Sequence, residues 1–310
     1  MTMGWTPERD VVLLAGTPAG GGQDRPARAL LAILAEQGLV GAPMSLVNIP
    51  GRGGGNAWDD LARHPGEAHR LAINSPTILS NRALGVSGLA WDSLTPLCNL
   101  YTEHLAFIVR PDSSITDAAA LLRRLGTDTA GLPIALATAI GNANHIALAH
   151  LTRHAGGEVG ALGIAVFDSA RDAIAHVLAG HAELGVITAA SPVPELTAGT
   201  ARCLAVSAPA RMEGVYAGVP TWREEGVDLV AGPWRGVIGP AGLSPEQSAF
   251  WEEALRAATA GEAWREELAR RHWSDTFLTG EALRGFLREE DASMTDALRE
   301  LGLLRESPPG

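Results

Sequence analysis

Short apolar runs alternate along the chain with stretches in which apolar residues recur at helical spacing. A short apolar run bounded by turn residues is typical of a buried strand. Alternation of such runs with helices is typical of α/β proteins whose sheets are largely parallel. The pattern therefore predicts an α/β fold with strands at residues 11–15, 44–47, 70–73, 105–109, 134–137, 184–187 and 203–206.

The pattern changes in the last third of the chain, which reads as almost all helix from Ser244 onwards. Ser244, Pro245 and Gln247 have the types and spacing of a capping box at a helix start. A further helix is expected to begin after Thr279, with apolar residues at helical spacing along it.

Composition limits the classes of function. A chain of 310 residues with 46% hydrophobic residues is large enough for about two domains with sizeable cores. Because 35 acidic residues outnumber 24 basic ones, for a net charge of −11, a nucleic-acid partner is not expected. No apolar run approaches the length of a membrane span. The first ten residues lack the features of a signal peptide, which leaves a cytosolic protein or a removed leader open.

The sequence offers few groups for covalent or metal chemistry. Cys98 and Cys203 lie far apart in apolar surroundings, and we expect two buried free thiols. The chain has no serine nucleophile motif. His145 lacks a second ligand at metal spacing, since His150 and His154 lie on other sides of a helix, so a structural or ligand-contact role is favoured. We therefore predict no cofactor and no metal.

Three junctions between a strand and a helix are rich in small residues: "GTPAGGGQD" at 16–24, "VNIPGRGGGNAW" at 47–58 and "ATAIGNANH" at 137–145. None has the spacing of a nucleotide-binding motif. Unpaired N–H groups and the helix dipole favour an anion at such a junction, although a simple tight turn fits the pattern too. Asp24 is placed to cap the first helix. Either Asn142 or Asn144 is expected to cap the third, leaving the other amide to face a ligand.

Polar residues also follow other predicted strands, at the sheet edge where α/β folds bind ligands. Few of them are charged, which suits a carboxylate held mainly by backbone dipoles. These residues are Ser75, Thr77, Asp168 and Thr188.

Long segments of the chain resemble a known family. They include "PAGGGQD", "VNIPGRGGGNAW", "PTILSN", "LTPLCNLYTEHLAFIVRPDSSITD", "GNANHIALAHL", "DAIAHVLAGHAELGV", "GVPTWREEGVDLVAGPWRGVIGPAGLSPEQ" and "WSDTFLTGEALRGFL". In order and nearly from end to end, they are similar to the solute-binding receptors of tripartite tricarboxylate transporters (TctC/Bug-like).

The resemblance implies a type II periplasmic binding-protein fold with two hinged lobes, each a central mixed sheet flanked by helices. Residues 1–110 and 231–310 would form the first lobe and residues 111–230 the second, with the ligand between them. It further implies a periplasmic or extracytoplasmic receptor that captures a small organic carboxylate without turnover. The receptor would deliver its ligand to membrane transporter subunits or to a sensor protein.

Carried over by position, the resemblance implies one ligand loop in each lobe. Asn142 and Asn144 replace the small residues common in the family, Asp168 stands in a loop that is often glycine-rich or basic, and Arg52 interrupts a glycine run. Arg235 could place a cation near the ligand or form a surface salt bridge. With the strand-end residues above, the expected ligand-binding set is Thr17, Ala19, Gly20, Gly21, Gly22, Asp24, Ser75, Thr77, Gly141, Asn142, Asn144, His145, Asp168 and Thr188.

Two other functions stay open on the residues alone. One is an enzyme acting on a carboxylate, with His145, Asp24 or Asp168 as its base or nucleophile. The other is a cytoplasmic sensor or scaffold that binds a carboxylate on the same fold.

Overall fold

The computed structural model describes residues 4–137, 139–167 and 169–305. Within them the chain divides into two compact units. The first unit contains residues 4–102, 234–294 and 305, and the second contains residues 103–233 and 295–304. The chain therefore passes from the first unit to the second before the strand at 105–109, whereas the resemblance placed this passage at Arg110. It returns to the first unit at Trp234, whereas the resemblance placed the return at Ala231.

The first unit is built on a six-stranded mixed sheet of order β11-β4-β10-β3-β1-β2. β1 pairs in parallel with β2 and β3, whereas β10 is antiparallel to β3 and β4, and β11 is antiparallel to β4. These strands are β1 (Val11–Ala15), β2 (Met44–Asn48), β3 (Arg70–Asn74), β4 (Thr95–Thr102), β10 (Trp234–Gly239) and β11 (Ser274–Leu278).

Some of the helices of this unit pack their apolar faces against the sheet in one buried cluster, which includes Leu13, Leu30, Tyr101, Trp251 and Trp264. The predicted capping box at Ser244 and Gln247 is present at the start of α8. The helices are α1 (Asp24–Glu36), α2 (Gly55–Ala62), α3 (Thr77–Ala83), α8 (Pro245–Ala260), α9 (Glu262–Arg271) and α10 (Gly280–Glu300), the last of which contributes its residues up to 294.

The second unit is built on a five-stranded mixed sheet of order β7-β6-β8-β5-β9. β6 is parallel to β7 and β8, and β5 is antiparallel to β8 and β9. Apolar clusters fill the space between this sheet and its helices, with Phe107 packed edge-on against Trp222. The elements are β5 (Leu105–Val109), β6 (Pro133–Ala137), β7 (Gly163–Phe167), β8 (Leu184–Thr188), β9 (Arg202–Val206), α4 (Ala118–Thr127), α5 (Ala143–His154), α6 (Ala170–Leu178) and α7 (Val193–Thr197).

The α/β fold with two mixed sheets is confirmed, while two predictions from local pattern are wrong. The sheets are not largely parallel, because β5 and β10 run antiparallel to both of their neighbours. The chain after Ser244 is not all helix, because β11 lies between α9 and α10 and pairs with β4. Both errors concern pairings between segments that are distant in sequence.

The two cysteines are free, with Cys98 buried and Cys203 partly buried. Desolvation raises the pKa of the Cys203 thiol to about 12 and raises that of Cys98 as well. Because the thiolate is the reactive form, neither thiol is a nucleophile at neutral pH.

Candidate ligand-binding loops

The loop from Thr17 to Asp24 joins β1 to α1, and the Asp24 carboxylate holds it together from inside. Asp24 is 0% exposed. Its carboxylate accepts hydrogen bonds from Gly20 N–H at 2.8 Å, Asn48 Nδ2 at 2.9 Å and both Arg28 Nε at 2.7 Å and Nη2 at 3.0 Å. The prediction that Asp24 caps α1 is wrong, because Gln23 is the N-cap residue and makes no side-chain cap bond. Asp24 instead sets the shape of the loop.

The charge state of Asp24 follows from these contacts. Burial acts to raise the pKa of the carboxyl, but the hydrogen bonds from Arg28, Gly20 and Asn48 outweigh it and lower the pKa to about 2. Asp24 is therefore an anion at neutral pH whose charge is matched by Arg28.

Most N–H groups of this loop are used within it. Thr17 Oγ1 accepts from Gln23 N–H and Asp24 N–H, both at 3.3 Å, and Gly21 N–H donates to Pro18 O at 2.9 Å. Among the hydrogen bonds of the described residues, none has Ala19 N–H or Gly22 N–H as its donor. Both residues are exposed. These two amides belong to exposed residues and are candidate donors to a ligand.

A guanidinium lies against the same loop. Arg235, in β10, donates from Nε to Gly22 O at 3.2 Å and from Nη1 to Trp234 O at 2.8 Å. A Cβ added at Gly22 would lie 3.1 Å from Arg235 Nη2. Arg235 therefore lies beside the candidate ligand loop.

The other loops of the first unit pack onto this one through Gln23, which is only 3% exposed. Gln23 Oε1 accepts from Gly16 N–H at 2.8 Å, and Nε2 donates to Gly53 O at 3.2 Å and Ser75 Oγ at 3.5 Å. Ser75 is buried in this contact. Thr77 packs closely against Gly53, because a Cβ added at Gly53 would lie 2.5 Å from the Thr77 methyl group. The structure thus brings the first loop together with Ser75 and Thr77.

Sequence reasoning missed Gln23. A glutamine at the start of a helix is ordinarily a surface residue, and nothing in the local pattern marks this one as buried. The recurring glycine clusters were the available signal, because glycines without side chains allow two loops to approach closely.

The candidate loop of the second unit is the turn from Gly141 into α5. Asn142 is the N-cap residue: its Oδ1 accepts from His145 N–H at 3.0 Å, and its Nδ2 donates to Ala137 O at 2.7 Å. Asn144 is buried and donates from Nδ2 to Val186 O at 2.7 Å. The expectation that the other asparagine turns its amide to a ligand is therefore wrong, because that amide joins α5 to β8.

His145 lies at the same turn and is 5% exposed. Its Nδ1 accepts from Gly141 N–H at 3.0 Å, so the neutral ring carries its proton on Nε2. Desolvation lowers the pKa of His145 to about 4. At neutral pH the ring is thus an uncharged hydrogen-bond donor through Nε2.

The remaining two predicted residues of the second unit are less informative. Thr188 ends β8, and its Oγ1 lies 3.0 Å from Ser191 Oγ in its own turn. Asp168 lies outside the described residues.

In the part of the chain that the structure describes, no group of three or more His, Cys, Asp or Glu side chains is arranged to hold a metal ion. No described helix combines the length and apolar character needed to cross a membrane.

Residues 39–303 match the model of one family, the tripartite tricarboxylate transporter family receptors (TctC). The protein belongs to this family of solute-binding receptors, as the resemblance predicted.

Solved structures show the same fold at low sequence identity. A TctC solute-binding protein from Polaromonas is 23% identical with a TM-score of 0.81, covering 95% of this chain and 99% of that one. A Rhodopseudomonas palustris protein solved with adipate is 21% identical with a TM-score of 0.77, covering 96% and 98%. MatC from the same organism, solved with bound malate, is 22% identical with a TM-score of 0.71, covering 94% and 99%. No curated protein shows significant sequence similarity to the chain.

Proposed function

We propose that the protein is a receptor that binds a small organic carboxylate at the first-unit loop. The observation that carries this proposal is that Ala19 and Gly22, two exposed residues of the loop that leads into α1, have N–H groups with no acceptor among the described residues. Such amides, together with the positive end of the helix dipole, favour an anion. The structural relatives solved with malate and with adipate support a carboxylate as that anion.

In this proposal the other predicted residues of the first loop have supporting roles. Thr17, Gly20, Gly21 and Asp24 use their hydrogen-bonding groups to fix the loop, as their internal contacts indicate. Their substitution would therefore change affinity through the shape of the loop rather than by removing a ligand contact.

The second-unit loop is proposed to offer ligand-binding donors of its own. No hydrogen bond of the described residues has Ala143 N–H or Asn144 N–H as its donor, and His145 adds the Nε2–H donor. All three groups are uncharged donors, which is the chemistry that a carboxylate requires.

Delivery to a transporter is the role implied by family membership, and we propose an extracytoplasmic receptor that hands its ligand to membrane subunits. An enzyme on this fold would need a base, and a histidine whose pKa is lowered to about 4 is a weak base at neutral pH.

Isothermal titration calorimetry of the purified protein tests the proposal, with malate, adipate, citrate, glutamate and benzoate as probes. We expect saturable one-to-one binding of at least one acid, and no product in NMR spectra of the same mixtures. Failure of every acid to bind would contradict the proposal. Product formation that is abolished by His145→Ala would replace the receptor with an enzyme.

A further inference from the structure

A groove of about 430 Å³ lies between α1 and α9 of the first unit. Both helices contribute charged side chains to its lining, which contains four arginines and two carboxylates: Arg25, Arg28, Asp24, Arg270, Arg271 and Glu267. The lining therefore carries an excess of two positive charges, although the whole chain has a net charge of −11.

Buried carboxylates hold three of these arginines in place. Asp24 is 0% exposed and pairs with Arg28 at 2.7 Å. Glu267 is 6% exposed and pairs with both Arg270 and Arg271. The side chains of Arg28 and Arg270 are nevertheless 59% and 70% exposed. Each guanidinium has five N–H donors, so donors remain for a partner after these pairs are formed.

Arg25 supplies a charge that no carboxylate of the described structure matches. It is exposed in the first turn of α1, and its side chain makes no hydrogen bond or ion pair with any described residue. Between the charges, the groove is lined by small or apolar side chains, namely Ala29, Ala32, Ile33 and Ala263.

We infer that this groove docks an acidic segment of a partner protein, with carboxylates on the arginines of both helices and small side chains against the alanines. Arginine pairs with a carboxylate through two parallel hydrogen bonds, which makes arginine clusters suited to acidic segments. The lining of α1 runs from Arg25 to Ile33, about 12 Å of helix, which suits a length of chain better than one small anion. A concave groove also suits a chain better than a flat bilayer does.

Fluorescence anisotropy tests the inference with a labelled peptide of alternating glutamate and alanine. A peptide of alternating glutamine and alanine is the neutral control. We expect the acidic peptide to bind saturably at low salt and to bind more weakly as salt is raised. The neutral peptide should bind at least about 10-fold more weakly, because it cannot form ion pairs.

Arg25→Gln and Arg270→Gln remove one charge from each helix. Each should weaken binding of the acidic peptide about two- to fivefold, and the double variant about 10-fold, because an exposed ion pair contributes modestly. Arg123→Gln and Arg284→Gln are the matched controls, since both arginines are exposed and neither lines the groove. Their double variant should bind like the wild type.

Ala32→Tyr fills the groove without changing its charge. Ala32 is exposed on α1, so the helix can carry the larger side chain. We expect at least about 10-fold weaker binding of the acidic peptide, because its small side chains lose their contact surface. Ala119→Tyr, at an exposed position of α4 that does not line the groove, is the control.

Thermal unfolding of each variant confirms that it is folded before binding is compared. Equal binding of the two peptides, or acidic-peptide binding that Arg270→Gln and Ala32→Tyr leave unchanged, would overturn the inference. Protein that sediments with phosphatidylglycerol vesicles but does not bind the peptide would replace the protein partner with an anionic membrane.

Gly20 also lines the groove, so the groove adjoins the candidate ligand loop and the two sites need to be told apart. Calorimetry with malate and adipate should give wild-type affinity for Arg25→Gln and Arg270→Gln. Parallel loss of acid and peptide binding would place the peptide at the ligand loop and overturn the inference. A wild type that binds the peptide and no organic acid would instead overturn the proposed function.

Discussion

At the scale of single residues, the first loop places a buried anion next to a proposed anion site. Asp24 is tolerated there because Arg28 forms two hydrogen bonds to its carboxylate and Gly20 N–H and Asn48 complete the set. The Asp24 carboxylate binds the N–H of Gly20 inside the loop, while the N–H of Gly22 has no acceptor in the described structure. A charge pair inside the loop thus decides which N–H groups a ligand can reach.

Asp24→Asn should lower the free energy of unfolding at pH 7 by roughly 2 kcal/mol, since a pKa of about 2 in place of 3.8 corresponds to that amount. Because the folded-state pKa is depressed, this stabilisation is present above pH 4 and is lost as the pH falls toward 2. Urea unfolding at pH 7 and at pH 2.5 measures both effects. Asp112→Asn, at an exposed carboxylate, is the control and should change stability little. Equal effects of the two variants would contradict the role of Asp24.

His145 predicts a second dependence on pH. Its pKa is lowered from 6.5 to about 4, so the unfolded chain takes up a proton first as the pH falls. Stability is therefore greatest above pH 6.5 and falls by up to roughly 3 kcal/mol on the way to pH 4. Asn in this position can accept from Gly141 N–H without titrating. We expect the free energy of unfolding of His145→Asn, measured with urea, to fall less steeply between pH 7 and pH 4.5 than that of the wild type. Parallel curves would show that His145 is not the titrating group.

At the scale of elements, the glycine clusters serve contacts between loops as much as contacts with a ligand. A Cβ at Gly16 would lie 2.3 Å from Gly54 Cα, and a Cβ at Gly21 would lie 2.6 Å from the Thr17 side chain. The junction after β1 and the junction after β2 therefore form one packed body, and Gln23 joins it to the junction after β3.

Gly16→Ala should consequently destabilise the first unit by at least about 2 kcal/mol, because the clash involves backbone that cannot rotate away. Gly41→Ala is the matched control, since a Cβ there meets nothing within 4 Å. Thermal unfolding of both variants measures the difference. A Gly16→Ala protein as stable as the control would mean that the two junctions do not pack as described.

The sequence predicts local features of this fold well and distant pairings poorly. The apolar runs locate strands such as β1 and β5 to the residue, because a buried strand needs apolar side chains whichever strands it pairs with. β10 and β11 were not predicted. The sequence "WRGVIG" contains two glycines and an arginine, and its strand conformation depends on β3 and β4. Asn144 was assigned to a ligand for the same reason, since its partner Val186 lies far along the chain.

At the scale of the whole molecule, the proposal assigns carboxylate-binding donors to one loop in each unit, and hydrogen exchange tests each loop separately. Hydrogen exchange with mass spectrometry, with and without saturating adipate or malate, should show slower exchange at residues 19–22 and at residues 143–145. Ligand at 100 times its dissociation constant adds about 2.7 kcal/mol of stability, enough for roughly a 100-fold slowing where exchange requires release of the ligand. Peptides from α8, remote in sequence from both loops, provide the internal control. Slower exchange at the first loop alone would confine the binding site to the first unit, and His145 would then be a structural residue.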